Sequence, residues 1–248
     1  MFRMLRLKPP NGWHAVAWEL AIVTVGVLMA LALQQWVEGL ASKARADEAR
    51  EAIRQQLHEH FLNAVEWRVL SPCAAAQINQ LESRIVGSTV RLRPIPIHHI
   101  DGKVRAAVVA PRRIYDDSAW TGMIAAGTAF QLTELERKSL TYSYWLANYM
   151  GRLGVEIVEA DRRLLAATRP IELNPEVKQS LIQSIDEIRA ANESMDRTAA
   201  EIIFWAQKYG ASASIAEVEH DLPLSIIKFC RAERLPMRKG TKAIDPNQ

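Results

Sequence analysis

One apolar run constrains this chain more than any other feature. Between residues 20 and 33 no side chain is charged, and Thr24 alone is polar. The surrounding stretch, 13–36, is long enough to span a hydrocarbon core, which needs about 20 mostly apolar helical residues. Trp13, Trp18 and Trp36 stand at its two ends, where indole rings favour the headgroup boundary. Arg3, Arg6 and Lys8 precede it in a short tail, and Lys43, Arg45 and Arg50 follow it. The positive-inside rule acts most strongly on short flanks, so the sequence predicts the N-terminus inside and the larger part of the chain outside.

Glu19 has two readings. At the first turn of the span it snorkels to the interface and suits a helix N-terminus. It also shares a helical stripe with Gly26, Ala30 and Gln34. Gly26 and Ala30 make the small-xxx-small spacing that lets membrane helices approach, so this stripe is the candidate transmembrane packing face. Ala30-Leu31-Ala32 matches a signal-peptidase pattern but lies inside the apolar run, which favours a retained anchor over a cleaved leader.

Past the span, about 210 residues of the 248 remain, enough for one filled domain. Charged residues are 24% and the net charge is +3, with no basic cluster that would call for a nucleic-acid partner. The two cysteines, Cys73 and Cys230, admit three states. They form a disulfide in an oxidising compartment, or stay as buried thiols, or Cys73 is a reactive thiol in the first turn of a helix.

Residues 37–70 place Ala46, Ala49, Ile53, Leu57, Phe61, Ala64 and Trp67 on one helical face, predicting a stalk that enters the domain. Ser71 then reads as a cap with Pro72 at the first position of a second helix, closed by Gly87. Two β-rich runs, 89–100 and 103–110, flank Asp101-Gly102, a hairpin signal. Thr133 and Glu136 form a capping box that opens a long helix, with a predicted stripe of Leu135, Tyr142, Trp145, Leu146, Tyr149, Leu153, Ile157, Ala160 and Leu164. Asn174-Pro175 opens another helix to near Gly210, its stripe interrupted by Asn192. The residues after 236 are polar and predict a disordered tail. The expected fold is therefore mainly α: a short tail (1–12), a transmembrane helix (13–36) and an antiparallel helical bundle (37–236) with a small β-hairpin insertion at about 89–110, then residues 237–248.

The segment WELAIVTVGVLMALALQQWVEG resembles the opening of a family of uncharacterised bacterial single-pass membrane proteins, with its Trp-Glu pair, Gly-Val-Leu-x-Ala-Leu core and closing Trp. YDDSAWTGMIAAGTAFQLTELERKSLTYSYW is similar to a second region of such proteins, and SPCAAAQINQLESRI and FCRAERLPM resemble segments of nearer relatives. The resemblance implies a single-pass, membrane-anchored helical domain and carries no catalytic residue with it.

Chemical motifs are sparse. His58 and His60 are two apart and point to different sides of a helix, whereas a helical zinc pair needs four. His98-His99 adjoins the hairpin turn, and His220 sits at a helix end. Glu156, Glu159 and Asp161 alternate with Arg152, Arg162 and Arg163, the pattern of a solvated face. Tyr142, Trp145 and Tyr149 are the candidate ligand or partner groove, beside the alternative of core packing. No cofactor is expected. The leading expectation is a non-enzymatic, extracytoplasmic module of a bacterial inner membrane, facing the periplasm and sensing or binding through the bilayer, a second copy or another membrane protein. The alternatives are an enzyme with a metal site drawn from His58, His60, His98 and His99 or with a reactive Cys73, and a structural subunit of an envelope complex.

Overall fold

A computed structural model describes residues 12–100 and 104–245. The basic tail and the Asp101-Gly102 turn lie outside the described residues. The chain forms two units, Met1–Glu48 and Ala49–Gln248. Among the described residues the fold is mainly α. Helix α1 spans Gly12–Val86, α2 Ser118–Ala125, α3 Glu134–Leu164 and α4 Pro175–Lys208. Three short helices follow: α5 Ile215–Asp221, α6 Leu224–Ala232 and α7 Gly240–Ile244.

In the first unit, residues 16–45 of α1 are exposed apart from half-buried Ser42. This part of the helix is apolar enough and long enough to cross a membrane. Its polar groups are satisfied along the helix itself. Thr24 Oγ1 donates to the Leu20 carbonyl at 2.7 Å, and Gln34 Nε2 donates to Glu38 Oε1 at 2.8 Å. Glu19, Gly26, Ala30 and Gln34 are all exposed.

In the second unit the rest of α1 packs with α3 and α4. Arg163 of α3 reaches Ser184 and Glu187 of α4, while Tyr142 reaches Glu201, so α3 and α4 run antiparallel. Asn192 and Asp196 of α4 bond Ser71, and Arg189 bonds Glu82, so α4 also runs antiparallel to α1. The face predicted for 37–70 is the one that packs: Ile53, Leu57, Phe61, Ala64 and Trp67 are all buried. Thr133 and Glu136 form the reciprocal capping box of α3, and Asn174 Oδ1 caps α4 by accepting from the Val177 amide.

Pro72 is a correction to the sequence reading. It starts no helix; α1 runs through it. An interior proline removes one helical hydrogen bond and costs about 3 kcal/mol or more. Here the carbonyl that Pro72 leaves free, that of Arg68, accepts from Arg238 Nη1 at 2.8 Å, and the neighbouring Val69 carbonyl accepts from the Arg238 amide at 2.9 Å. Asp196 clamps the same guanidinium through both carboxylate oxygens, and Ser71 Oγ donates to it as well. Burial pushes the Asp196 carboxyl up, but the hydrogen bonds from Arg238 and Ser71 outweigh it and leave the group below its usual range. The tail expected to be disordered is thus ordered up to Asp245: it carries Arg238 and α7, with Ala243 fully buried.

The disulfide Cys73–Cys230 joins α6 to α1 with a Cα–Cα distance of 6.1 Å, the geometry of the bridged reading. The hairpin region differs in part from expectation. Strand β2 (His98–Ile100) pairs antiparallel with β3 (Val104–Ala106), but β1 (Arg91–Leu92) pairs with β4 (Ile171–Glu172) after α3. Between β1 and β2 lie Pro94 and Pro96, which cannot donate to a ladder.

Candidate functional site

After β3 the chain bends at residues 107–108 and stays buried through residue 110 without joining a sheet. Its backbone groups must therefore find side-chain partners. Asp161 Oδ1 of α3 accepts the amides of Ala107 and Val108 at 2.9 and 3.0 Å. Gln77 of α1 accepts the Val109 amide at 2.8 Å and donates to its carbonyl at 3.0 Å. Asp161 was expected on a solvated face, yet it is 2% exposed. Burial raises its pKa, against the opposing amides and Arg112.

This suspended segment and α3 enclose a cavity of about 470 Å³ within the second unit. Asn63 and Trp67 line it from α1, Val108 to Tyr115 from the segment, Gly151 to Arg162 from α3, and Met195 from α4. The lining is mostly apolar, with Arg112, Arg113, Glu159 and Arg162 as its charged members. Ile114 and Val155 line it yet are 88% and 57% exposed, so its mouth is apolar too. Gly151 and Gly154 sit where a Cβ would meet nothing within 4 Å. Glycine in a helix interior costs about 0.5–1 kcal/mol relative to alanine. No neighbour demands it here; what it preserves is the open volume.

The polar groups around the cavity are unequal. Arg112 Nη2 bonds Asp161 Oδ2 at 3.2 Å, and Arg113 Nε bonds Glu66 Oε2 at 2.7 Å. Arg162 and Asn63 make no side-chain hydrogen bond among the described residues. Trp67 is 3% exposed, and its Nε1–H finds no acceptor among them either. A buried donor left so costs about 1–3 kcal/mol. Burial pushes the Glu66 carboxyl up to about 7 despite Arg113. Nearby, burial holds the His60 imidazole down to about 4. His60 Nε2 lies 2.9 Å from the Asp116 carbonyl, so the neutral ring donates from that nitrogen. Tyr115 packs between this imidazole and the cavity, its ring centroid 5.6 Å from that of His60.

The rings expected to form a groove, Tyr142, Trp145 and Tyr149, lie apart from this cavity. These rings stack on one another, with centroids 5.7 and 5.6 Å apart and planes within 17°. Tyr142 and Trp145 are 39% and 51% exposed, whereas Tyr144, expected off the stripe, is buried. The true stripe of early α3 includes Ser139 and Ser143, which apolar periodicity cannot mark. Tyr142 and Trp145 border a shallow surface depression with Glu134, Arg137, Lys138 and Thr141, while Tyr149 borders a separate one with Leu153, Glu156 and Glu187. None of them lines the cavity.

The histidines are engaged separately. His58 pairs with Glu217 at 2.9 Å, His60 with the Asp116 carbonyl, and the His98 ring packs 4.5 Å from that of Phe229. Among the described residues no three His, Cys, Asp or Glu side chains gather to hold a metal ion. The residues that sequence reasoning missed are Trp67, Arg112, Gly151, Gly154 and Arg162. The two glycines inside a long helix were the available signal. No protein-family model, curated protein or solved structure matches the chain.

Proposed function

We propose that this chain is a membrane-anchored helical module whose extracytoplasmic domain binds a ligand in the cavity between α1, the 107–115 segment and α3. The observation that carries the reading is the cavity itself: an apolar hollow with an apolar mouth, lined in part by two helical glycines whose added Cβ would enter open space. Its volume lies within the range of about 300–1,000 Å³ usual for ligand sites. The apolar half of α1 supports anchoring in a single pass. The Cys73–Cys230 bridge supports an oxidising compartment such as the periplasm, with the N-terminus inside. A signal would pass to a second membrane protein or a second copy through the Glu19, Gly26, Ala30 and Gln34 face. No reaction is part of this reading.

Native mass spectrometry of the full chain, released from its own membranes in mild detergent, tests it. The wild type is expected to carry a small-molecule adduct that Gly154→Phe, which fills the cavity, does not. Identical adduct patterns in the two proteins would contradict it.

A further inference from the structure

Resting on the reading of the cavity as a ligand site, we infer that the ligand is a small amphipathic anion: a slim apolar body with a carboxylate head, of which a medium-chain fatty carboxylate is the simplest form. The apolar body follows from the walls. Trp67, Val108, Ala110, Ile157 and Met195 give it surface to cover, and burying such surface is the main source of affinity for a site of this kind. The exposed Ile114 and Val155 at the mouth extend the apolar path outward.

The head group follows from the unsatisfied donors. Trp67 Nε1–H is buried in the lining without an acceptor among the described residues, and a ligand oxygen completes it. Arg162 lines the same cavity and makes no ion pair among the described residues, and Arg112 spends only one of its terminal nitrogens on Asp161. Arginine holds carboxylates through paired N–H groups. Glu159 alone of the charged lining opposes an anion; it also borders the neighbouring depression with Glu156 and Arg163. Arg113 is taken up by Glu66 and Arg112 in part by Asp161, so Arg162 and the remaining N–H groups of Arg112, with the Trp67 donor, are what favour an anion over a cation or a neutral chain.

The experiment uses the full chain in phosphatidylcholine nanodiscs and decanoate bearing a terminal diazirine. After irradiation, mass spectrometry maps the adducts. Adducts are expected on the cavity lining, around Val155, Ile157 and Met195, and free decanoate competes for them. Gly154→Phe abolishes them. Arg162→Gln, an exposed position whose change leaves the core intact, raises the half-saturating concentration about tenfold, the loss expected for one charge-assisted hydrogen bond. If the matching diazirine alcohol labels the lining as well as the acid does, and Arg162→Gln changes nothing, the anionic class is overturned while the cavity still stands as a ligand site. If both probes label only residues 16–36, where a bilayer solute partitions, the inference and the binding reading fall together.

Discussion

The two halves of α1 are both rich in apolar residues and have opposite surroundings. Leu28, Met29, Leu31 and Leu33 are 60%, 64%, 50% and 62% exposed, whereas Ile53, Leu57, Phe61 and Ile78 are at most 4% exposed. The difference lies in patterning. The first half is apolar on every side, so no packing against a single neighbour could cover it. The second carries its apolar residues on one stripe through Phe61, and protein surrounds it on every side only from residue 64 to 71. Apolar content says that a segment must leave water; periodicity says whether protein is what it leaves water for.

The sharpest way to break this comparison is to truncate one side chain in each half. Ile78→Ala is expected to cost the folded domain about 2–5 kcal/mol, the usual range for emptying a buried aliphatic site. Leu28→Ala should leave the domain's unfolding unchanged. Chemical denaturation of the full chain in detergent, followed by near-UV circular dichroism, measures both; equal losses would erase the distinction.

Two buried titratable groups in the second half give opposing pH effects. The folded pKa of Glu66 lies above its ordinary value, 4.5 against about 7. The folded state holds that proton more tightly, so this contribution is present at low pH and is lost as pH rises through that window. The folded pKa of His60 lies below its ordinary value, 6.5 against about 4. Its contribution is present above 6.5 and is lost as pH falls toward 4. Each amounts to about 3 kcal/mol, so the two nearly cancel where they overlap. Glu66→Gln should unmask acid destabilisation, and His60→Gln should unmask destabilisation on raising the pH. Denaturation midpoints across pH 4–8, taken as differences from wild type, remove the contribution of the other carboxyls. Parallel profiles in both variants would refute the assignment.

A smaller effect probes how α1 passes Pro72. Arg238→Ala removes the donor from the Arg68 carbonyl and the partner of Asp196. The expected loss is about 1.5–3 kcal/mol, as for one hydrogen-bonded charge, together with faster amide exchange around Val69 to Cys73. Exchange unchanged there would mean that the helix holds its course past the proline without the tail.

That contact also explains two sequence misreadings at once. Ser71-Pro72 has the local chemistry of a helix start, and the residues after 236 have the composition of a loose end. Each reading is locally sound and fails because the two segments complete each other across a separation that no local pattern encodes. The cappings at Thr133 and Asn174 were legible because their partners lie three residues away. The stripe of residues 46–67 was legible because it is continuous. The cysteine pair was legible as one of three states, and the fold brings the two residues to bridging distance. The cavity was not legible. It depends on a segment held off any sheet by Gln77 and Asp161, and buried polar anchors look in sequence like surface residues. Tyr144 and Tyr142 exchanged places because Ser139 and Ser143 hid the true face.

The central proposal is that the second unit is a bridged domain lying outside a membrane that the apolar part of α1 would cross. Thiol accessibility in intact cells tests it most directly, using a membrane-impermeant reagent before and after reduction and mass-spectrometric readout of Cys73 and Cys230. Neither cysteine is expected to label until the protein is reduced and unfolded, and a linked Cys73–Cys230 peptide is expected without reductant. Two free thiols that label only after cell lysis would contradict it.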